Sequence, residues 1–296
     1  MTASCNLTRR HLLASALASP LSAESRKLRA GCQTNAWRIR PGHFDDFLSV
    51  LDRIRAHRYH GFETSFRNLQ ARFDDPGPAR AAIEKRGLSF LGCHIFLLQY
   101  DPATLIAPED LIESVAKGAA ALGAERLILS ARAAGRDSQA LEAKARALTK
   151  AGALCRKRNL RLCYHNHDAE FRNGGAEMDF LLRRADPELV SFVIDGGHAI
   201  VGGADLVEFF ESHADRIDGI HLRDYKGPGY SGPLYPGDDQ VPLGMGRVDW
   251  KPLHRTIRRE RWRGWLINEE ERLNDGRPGD EAVAPARTNL KKIFGV

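Results

Sequence analysis

The 296-residue chain contains no apolar run near the roughly 20 residues that a bilayer-spanning helix needs, so no transmembrane segment is predicted. Its five cysteines are scattered and form no CxxC pair, which excludes a disulfide framework. Cys32, Cys93, Cys155 and Cys163 read as buried thiols, with room for a single bridge. Basic blocks are missing as well: 44 Lys and Arg are interspersed with 38 Asp and Glu, for a net charge of +6. Without a continuous basic face the chain is not expected to bind nucleic acid. No glycine-rich phosphate loop follows the first predicted strand, which argues against an open dinucleotide-binding sheet.

What is present begins at the N-terminus. Thr8-Arg9-Arg10-His11 precedes a short Ala/Leu run and the small residues of Leu21-Ser22-Ala23. Paired arginines ahead of a weakly apolar segment have the form of a twin-arginine (Tat) export signal. Residues 1–23 are therefore predicted to be removed after passage through the Tat machinery. The mature protein would start near Glu24, carry no membrane anchor and work in the periplasm or another extracytoplasmic space.

From Leu28 onward the apolar pattern alternates between two periods. Helical spacing at 43–57, carried by Phe44, Phe47, Leu48, Leu51 and Ile54, gives way to short strand-like runs and back again. Strands are predicted at 28–34, 61–65, 88–96, 126–130, 160–167, 190–195, 217–222 and 265–269, and Asp137 stands as N-cap of a long helix at 138–158. Eight strand–helix units in succession predict a (β/α)8 TIM barrel, one domain spanning 24–296.

In such barrels the chemistry sits at the C-terminal strand ends. Those ends read Glu63, His94, His165 with His167, Asp195, His221 and Glu269. The densest stretch runs from Leu160 to Phe171. Strand alternation puts Cys163, His165 and His167 on one face, with Leu162, Tyr164 and Asn166 on the other. Two imidazoles followed by Asp168 and Glu170 can bind a divalent cation or move protons. Asp195 either points into the barrel mouth or caps the next helix, while Gly196 and Gly197 allow a tight turn that brings His198 back over the site. His221 and Arg223 share a face. Alternation sends Glu269 and Glu271 inward and Glu270 outward, and Asp249 reads as a helix cap at Trp250. Trp37 fits either an apolar wall for a sugar ring or the core.

Five motifs occur in order: Tyr164-His-Asn-His with Glu170-Phe171, Asp195-Gly-Gly-His198, His221-Leu-Arg-Asp224, Leu243-Gly-Met-Gly-Arg-Val-Asp249-Trp250, and Gly264-Trp-Leu-Ile-Asn-Glu269. Together they resemble the sugar phosphate isomerase/epimerase family, the xylose isomerase-like TIM barrels, over roughly Leu28 to Phe294. The resemblance implies a divalent metal (Mn2+, Mg2+, Co2+ or Zn2+) held by strand-end carboxylates and one histidine, which carries over to Asp195, His221 and Glu269. The tagatose-epimerase-like branch has a glutamate near the position of His165. Here Glu170 is the expected fourth ligand, with His165 as the alternative. Three carboxylates and one imidazole suit Mn2+. The His-Asn-His stretch is also similar to inosose-dehydratase-like lyases.

The chemistry implied is proton abstraction alpha to a carbonyl of a small sugar or keto-sugar. His165 or His167 would be the base and Glu269 would act both as ligand and in catalysis. Glu63, His94, His198 and Arg223 are expected to bind substrate hydroxyls. Returning the proton elsewhere gives an isomerase or epimerase, and losing a β leaving group gives a lyase or dehydratase. An exported sugar-binding protein without turnover is a further reading. Phosphoester hydrolysis on a similar barrel would need more metal ligands than the strand ends supply. A homo-oligomeric state stays open.

Overall fold

The computed structural model describes residues 28–235 and 239–296. The twin-arginine stretch at Arg9 and Arg10 lies outside these residues. Eight parallel strands close into a barrel: β1 (Arg29–Gln33), β2 (Gly61–Ser65), β3 (Ser89–Ile95), β4 (Arg126–Leu129), β5 (Arg161–His165), β6 (Val190–Asp195), β7 (Ile217–Leu222) and, after a two-stranded hairpin of β8 (Asp224–Tyr225) and β9 (Gln240–Val241), β10 (Trp265–Asn268). β10 pairs with both β1 and β7, which closes the ring.

Helices pack outside the ring: α1 (Phe44–Ala56), α2 (Pro76–Glu84), α3 (Glu109–Ala121), α4 (Ser138–Arg156), α5 (Ala176–Arg184), α6 (Gly196–Val201), α7 (Leu206–His213), α8 (Lys251–Arg259) and α9 (Asp280–Phe294). Asp137 caps α4 as expected, accepting from Gln139 N at 2.9 Å and Ala140 N at 3.1 Å. Two elements differ from the sequence expectation. The segment after Asp195 is the short helix α6 rather than a bare turn, and β5 stops at His165, so His167 belongs to the following loop. The four cysteines among the described residues are buried and free, so no bridge forms there. Trp37 is buried in the core between barrel and helices and is not a wall of the strand-end cavity.

The barrel interior is layered. Leu91, Ile128, Cys163, Val193, Trp265 and Ile267 form a separate apolar cluster inside the ring. Its large side chains fit because facing positions are glycine. At Gly92 a Cβ would stand 2.4 Å from Ile128 Cδ1, so no larger residue fits there without displacing the core. Beneath this layer lies an ionic floor. Arg29 stacks over the Trp265 ring at 3.9 Å, while the Asp218 carboxylate accepts from both Arg126 Nε and Arg161 Nη1. Arg126 also donates to Leu91 O at 3.3 Å and Glu125 at 3.0 Å. The floor is thus shut, and the opening of the barrel is at the other end.

Burial alone would raise the Asp218 carboxyl, but Arg126 and Arg161 outweigh it and hold the group below the usual carboxylate range. Asp218→Asn leaves two guanidiniums sharing one amide oxygen. The expected loss of stability is about 2–3 kcal/mol, less than for a fully buried pair because Arg161 is partly exposed. The wild-type contribution is present above the unfolded carboxyl value of about 3.9 and fades as pH falls through the lower folded value. Urea melts should therefore separate the two proteins at neutral pH and bring them together at about pH 2–3.

Candidate active site

The last inward positions of four consecutive strands in the ring converge at the open end. Asp195 pairs with His221, and His221 with Ile267, two residues before Glu269. His165 pairs with Val193, two residues before Asp195. This register brings one ligand-capable atom each from His165, Asp195, His221 and Glu269 to within 4.8 Å of one another, all four residues buried.

Alternating charges connect these groups. His221 lies between two carboxylates, with Nε2 at 2.7 Å from Glu63 Oε2 and Nδ1 against Glu269 Oε2. Burial alone would discharge the ring, but Glu63 and Glu269 raise it to about 10. Arg223 links Glu269 to a third acid, with Nε 2.7 Å from Asp195 Oδ2 and Nη2 2.8 Å from Glu269 Oε1. Despite desolvation, Arg223 and His221 keep the Glu269 carboxyl well below its usual range. Gln240 of β9 accepts from Arg223 Nη1 at 3.1 Å, so the hairpin reaches into the site. At Gly197 a Cβ would meet Arg223 Cγ at 2.5 Å, which explains a small residue at this contact of α6 with the guanidinium.

Asp195 fulfils both of its expected roles. Its Oδ1 caps α6 by accepting from His198 N at 2.8 Å, and its Oδ2 faces Arg223. Asn166, the middle residue of His-Asn-His, clips the loop to β6 by accepting from Asp195 N at 2.9 Å and donating to Asp195 O at 3.2 Å. The imidazoles above the cluster are kept neutral chiefly by burial. His94 falls to about 3, His167 to about 4, and His165 lies well below its ordinary value, with neighbouring imidazoles adding to the effect. His165 stands 4.6 Å from His221 and 5.5 Å from His167 between ring centroids, and His167 stands 5.1 Å from His198.

A cavity of about 380 Å³ opens over the cluster, lined by His94, His165, His167, His198, Arg223 and Glu269 among others. Three expected substrate-binding residues, His94, His198 and Arg223, thus face it. Glu63 does not: it is fully buried beneath His221, where it fixes the imidazole from behind. Glu170 departs furthest from expectation. After β5 the chain makes a 3-10 turn at Ala169–Phe171, and Glu170 lies on the outward face of Tyr164 and Asn166, not on that of His165 and His167. There its Oε1 accepts from Tyr164 OH at 2.7 Å and its Oε2 from His167 N at 3.2 Å, away from the four-donor cluster. The ligand-capable set is therefore two imidazoles and two carboxylates, and the three-carboxylate argument for Mn2+ falls with it.

Glu271 was visible to strand alternation but not singled out. It lines the cavity, and desolvation lifts its carboxyl to about 7. Gln33, Asn35, Ser65 and Arg67 also line it, and no motif marked them. The four-donor set fits a divalent cation. His165 is a buried imidazole held neutral by burial, its Nδ1 has no hydrogen-bond partner, and the carboxyl groups of Asp195 and Glu269 stand beside it.

The chain matches the family model described as xylose isomerase-like TIM barrel over residues 51–293. It is 31% identical over 154 residues to an inosose dehydratase of Geobacillus kaustophilus, a match covering 49% of this chain and 47% of that protein. The chain thus spans about half the length of the curated relatives it matches. Among solved structures, a sugar phosphate isomerase/epimerase of Parabacteroides distasonis superposes with a TM-score of 0.69 at 18% identity, covering 92% of this chain and 98% of that one. A 3-keto-D-glucoside 4-epimerase from E. coli gives a TM-score of 0.64 at 16% identity, covering 91% and 100%. At these identities the structures share the fold, and the family match covers most of the sequence. The chain belongs to the xylose isomerase-like TIM barrel family.

Proposed function

We propose that the protein is a divalent-metal-dependent lyase that removes a proton alpha to the carbonyl of an unphosphorylated keto-sugar or cyclic polyol ketone and expels a β-hydroxyl. The observation that carries this reading is the grouping of a four-donor cation cluster, a neutral base and a near-neutral acid around one cavity. A divalent cation on His165, Asp195, His221 and Glu269 would polarise the substrate carbonyl and acidify its α-carbon. His167, uncharged at neutral pH, accepts that proton. Glu271, with its carboxyl near 7, donates a proton to the departing hydroxyl. The two groups follow β5 and β10, which β6 and β7 separate in the ring, so acid and base approach from different sides. Similarity to inosose dehydratases supports elimination. Isomerisation or epimerisation through the same proton abstraction is the second reading, favoured by Glu271 as an acid able to return a proton to the opposite face.

The loop after β7 supports a substrate without phosphate. TIM barrels commonly bind phosphate at the loops after strands seven and eight. Here four amides of that loop are already taken by side chains among the described residues. Asp224 accepts from Tyr225 N, Gly244 N and Val248 N at 2.8–3.0 Å, and Glu270 accepts from Leu243 N at 3.1 Å. A phosphate placed there would meet two buried carboxylates. The mixed nitrogen and oxygen donor set moves the metal preference from Mn2+ toward Zn2+ or Co2+.

Four outcomes test this reading. Elemental analysis should find about one metal per chain, lost in the Asp195→Ala/His221→Ala double variant. Calorimetry in buffers of different ionisation heat should show about one proton released per metal bound near pH 7.5, because His221 gives up the proton it holds up to about 10. Incubation with inosose in D2O should give deuterium exchange and an absorbing enone. His167→Ala should lose both by about 10²–10⁴-fold, whereas Glu271→Gln should keep exchange and lose elimination. Enone formation undiminished in both variants would overturn the acid–base assignment. A phosphorylated analogue should react at least about a hundredfold more slowly.

A further inference from the structure

A second ionic network is buried outside the cation cluster. Lys144 of α4 is fully buried, donating to Glu177 Oε1 at 2.7 Å and to Arg132 O at 2.9 Å. Its ammonium lies 4.0 Å from Glu170 Oε1 and 4.9 Å from the centre of the Tyr164 ring. Glu177 of α5 accepts from Ala134 N at 2.9 Å and Gly135 N at 2.7 Å, which ties down the loop after β4. Glu170 closes the network with Tyr164 OH on one oxygen and His167 N on the other. Neither Glu170 nor Lys144 lines the strand-end cavity.

We propose that Lys144, Glu177 and Glu170 form a positioning device for His167, with Glu170 as the residue that transmits it. His167 lies beyond the end of β5, so no strand ladder holds its backbone. Its amide is held instead by a carboxylate that is anchored to β5 through Tyr164 and to α4 through the charge of Lys144. The end of α6 closes on the same turn, where Gly202 leaves room: a Cβ there would stand 2.5 Å from Asp168 O. The loop carrying His167 is therefore clamped from the outer layer of the barrel and from the helix carrying His198. Displacing a reacting group by about 1 Å can cost about a hundredfold in rate, which makes such a clamp consequential. The inference rests on His167 acting as the base.

The test compares Glu170→Ala, Glu170→Gln and His167→Ala in the full chain. Two-dimensional NMR of 15N-histidine-labelled protein should show the His167 ring signal moved or broadened in Glu170→Ala, and restored in Glu170→Gln, whose amide oxygen still accepts from His167 N. The His94 signal should stay in place in both. Metal content should remain at the wild-type value. With inosose as probe, Glu170→Ala should lower kcat for exchange by about 10–100-fold with KM within about threefold, and Glu170→Gln should recover most of it. An unchanged His167 signal in Glu170→Ala overturns the proposal. So does loss of metal in that variant, which would make Glu170 a ligand, or an equal defect in Glu170→Gln. His167→Ala exchanging inosose as fast as wild type, with the NMR effect intact, would instead overturn the assignment of the base while the clamp stands.

Discussion

The site depends on the matching of buried charge. Glu63, His221, Glu269, Arg223 and Asp195 form a single line in which acid and base alternate, and all five are buried. An unpaired ion in such a place would cost several kcal/mol, so each member fixes its neighbours by need as much as by geometry. Register supplies the spacing: Asp195 and His221 pair directly, while His165 and Glu269 each stand two residues off the paired position of their neighbour.

The rest of the barrel is arranged so that this charge is confined to one end. An apolar layer separates it from a floor where Asp218 is shared by Arg126 and Arg161. Both ionic layers need the same thing from the fold, a partner for every ionised group, but they differ in access. The floor is sealed by its own arginines, whereas the upper layer opens into the cavity where a ligand can complete it. Function is therefore located by an unfinished set of contacts above the same apolar plug that makes the barrel stable.

What could be read in advance follows from how each element encodes itself. Strand alternation is local, so the inward positions of Asp195, His221, Glu269 and Glu271 were legible from their own neighbours. The eight-unit repeat likewise came from local periodicity. Glu170 was assigned as the carboxylate nearest His165 in the chain, and nearness misled because a 3-10 turn at Ala169–Phe171 follows the strand and Glu170 bonds Tyr164 on the outward face. Lys144 is 26 residues away in the chain, and nothing in a local pattern distinguishes a buried lysine from an exposed one. Glu63 sits at a strand end as read, yet the register of β2 sets it below His221 instead of beside the cavity. Gln240 reaches Arg223 only through a two-residue hairpin inside a glycine-rich loop, which carries no periodic signal.

The loop after β7 shows how folding and specificity share the same groups. Its glycines permit backbone paths that expose amides, the arrangement by which many barrels hold phosphate. In this chain Asp224 and Glu270 turn inward and take those amides, and Asn289 of α9 donates to Leu243 O at 2.8 Å. At Gly246 a Cβ would stand 2.2 Å from Asp224 Oδ1, so the glycine is required by the carboxylate and not by a ligand. The internal acids thus hold the hairpin that brings Gln240 to Arg223, and in doing so they occupy loop amides that an anion would otherwise meet.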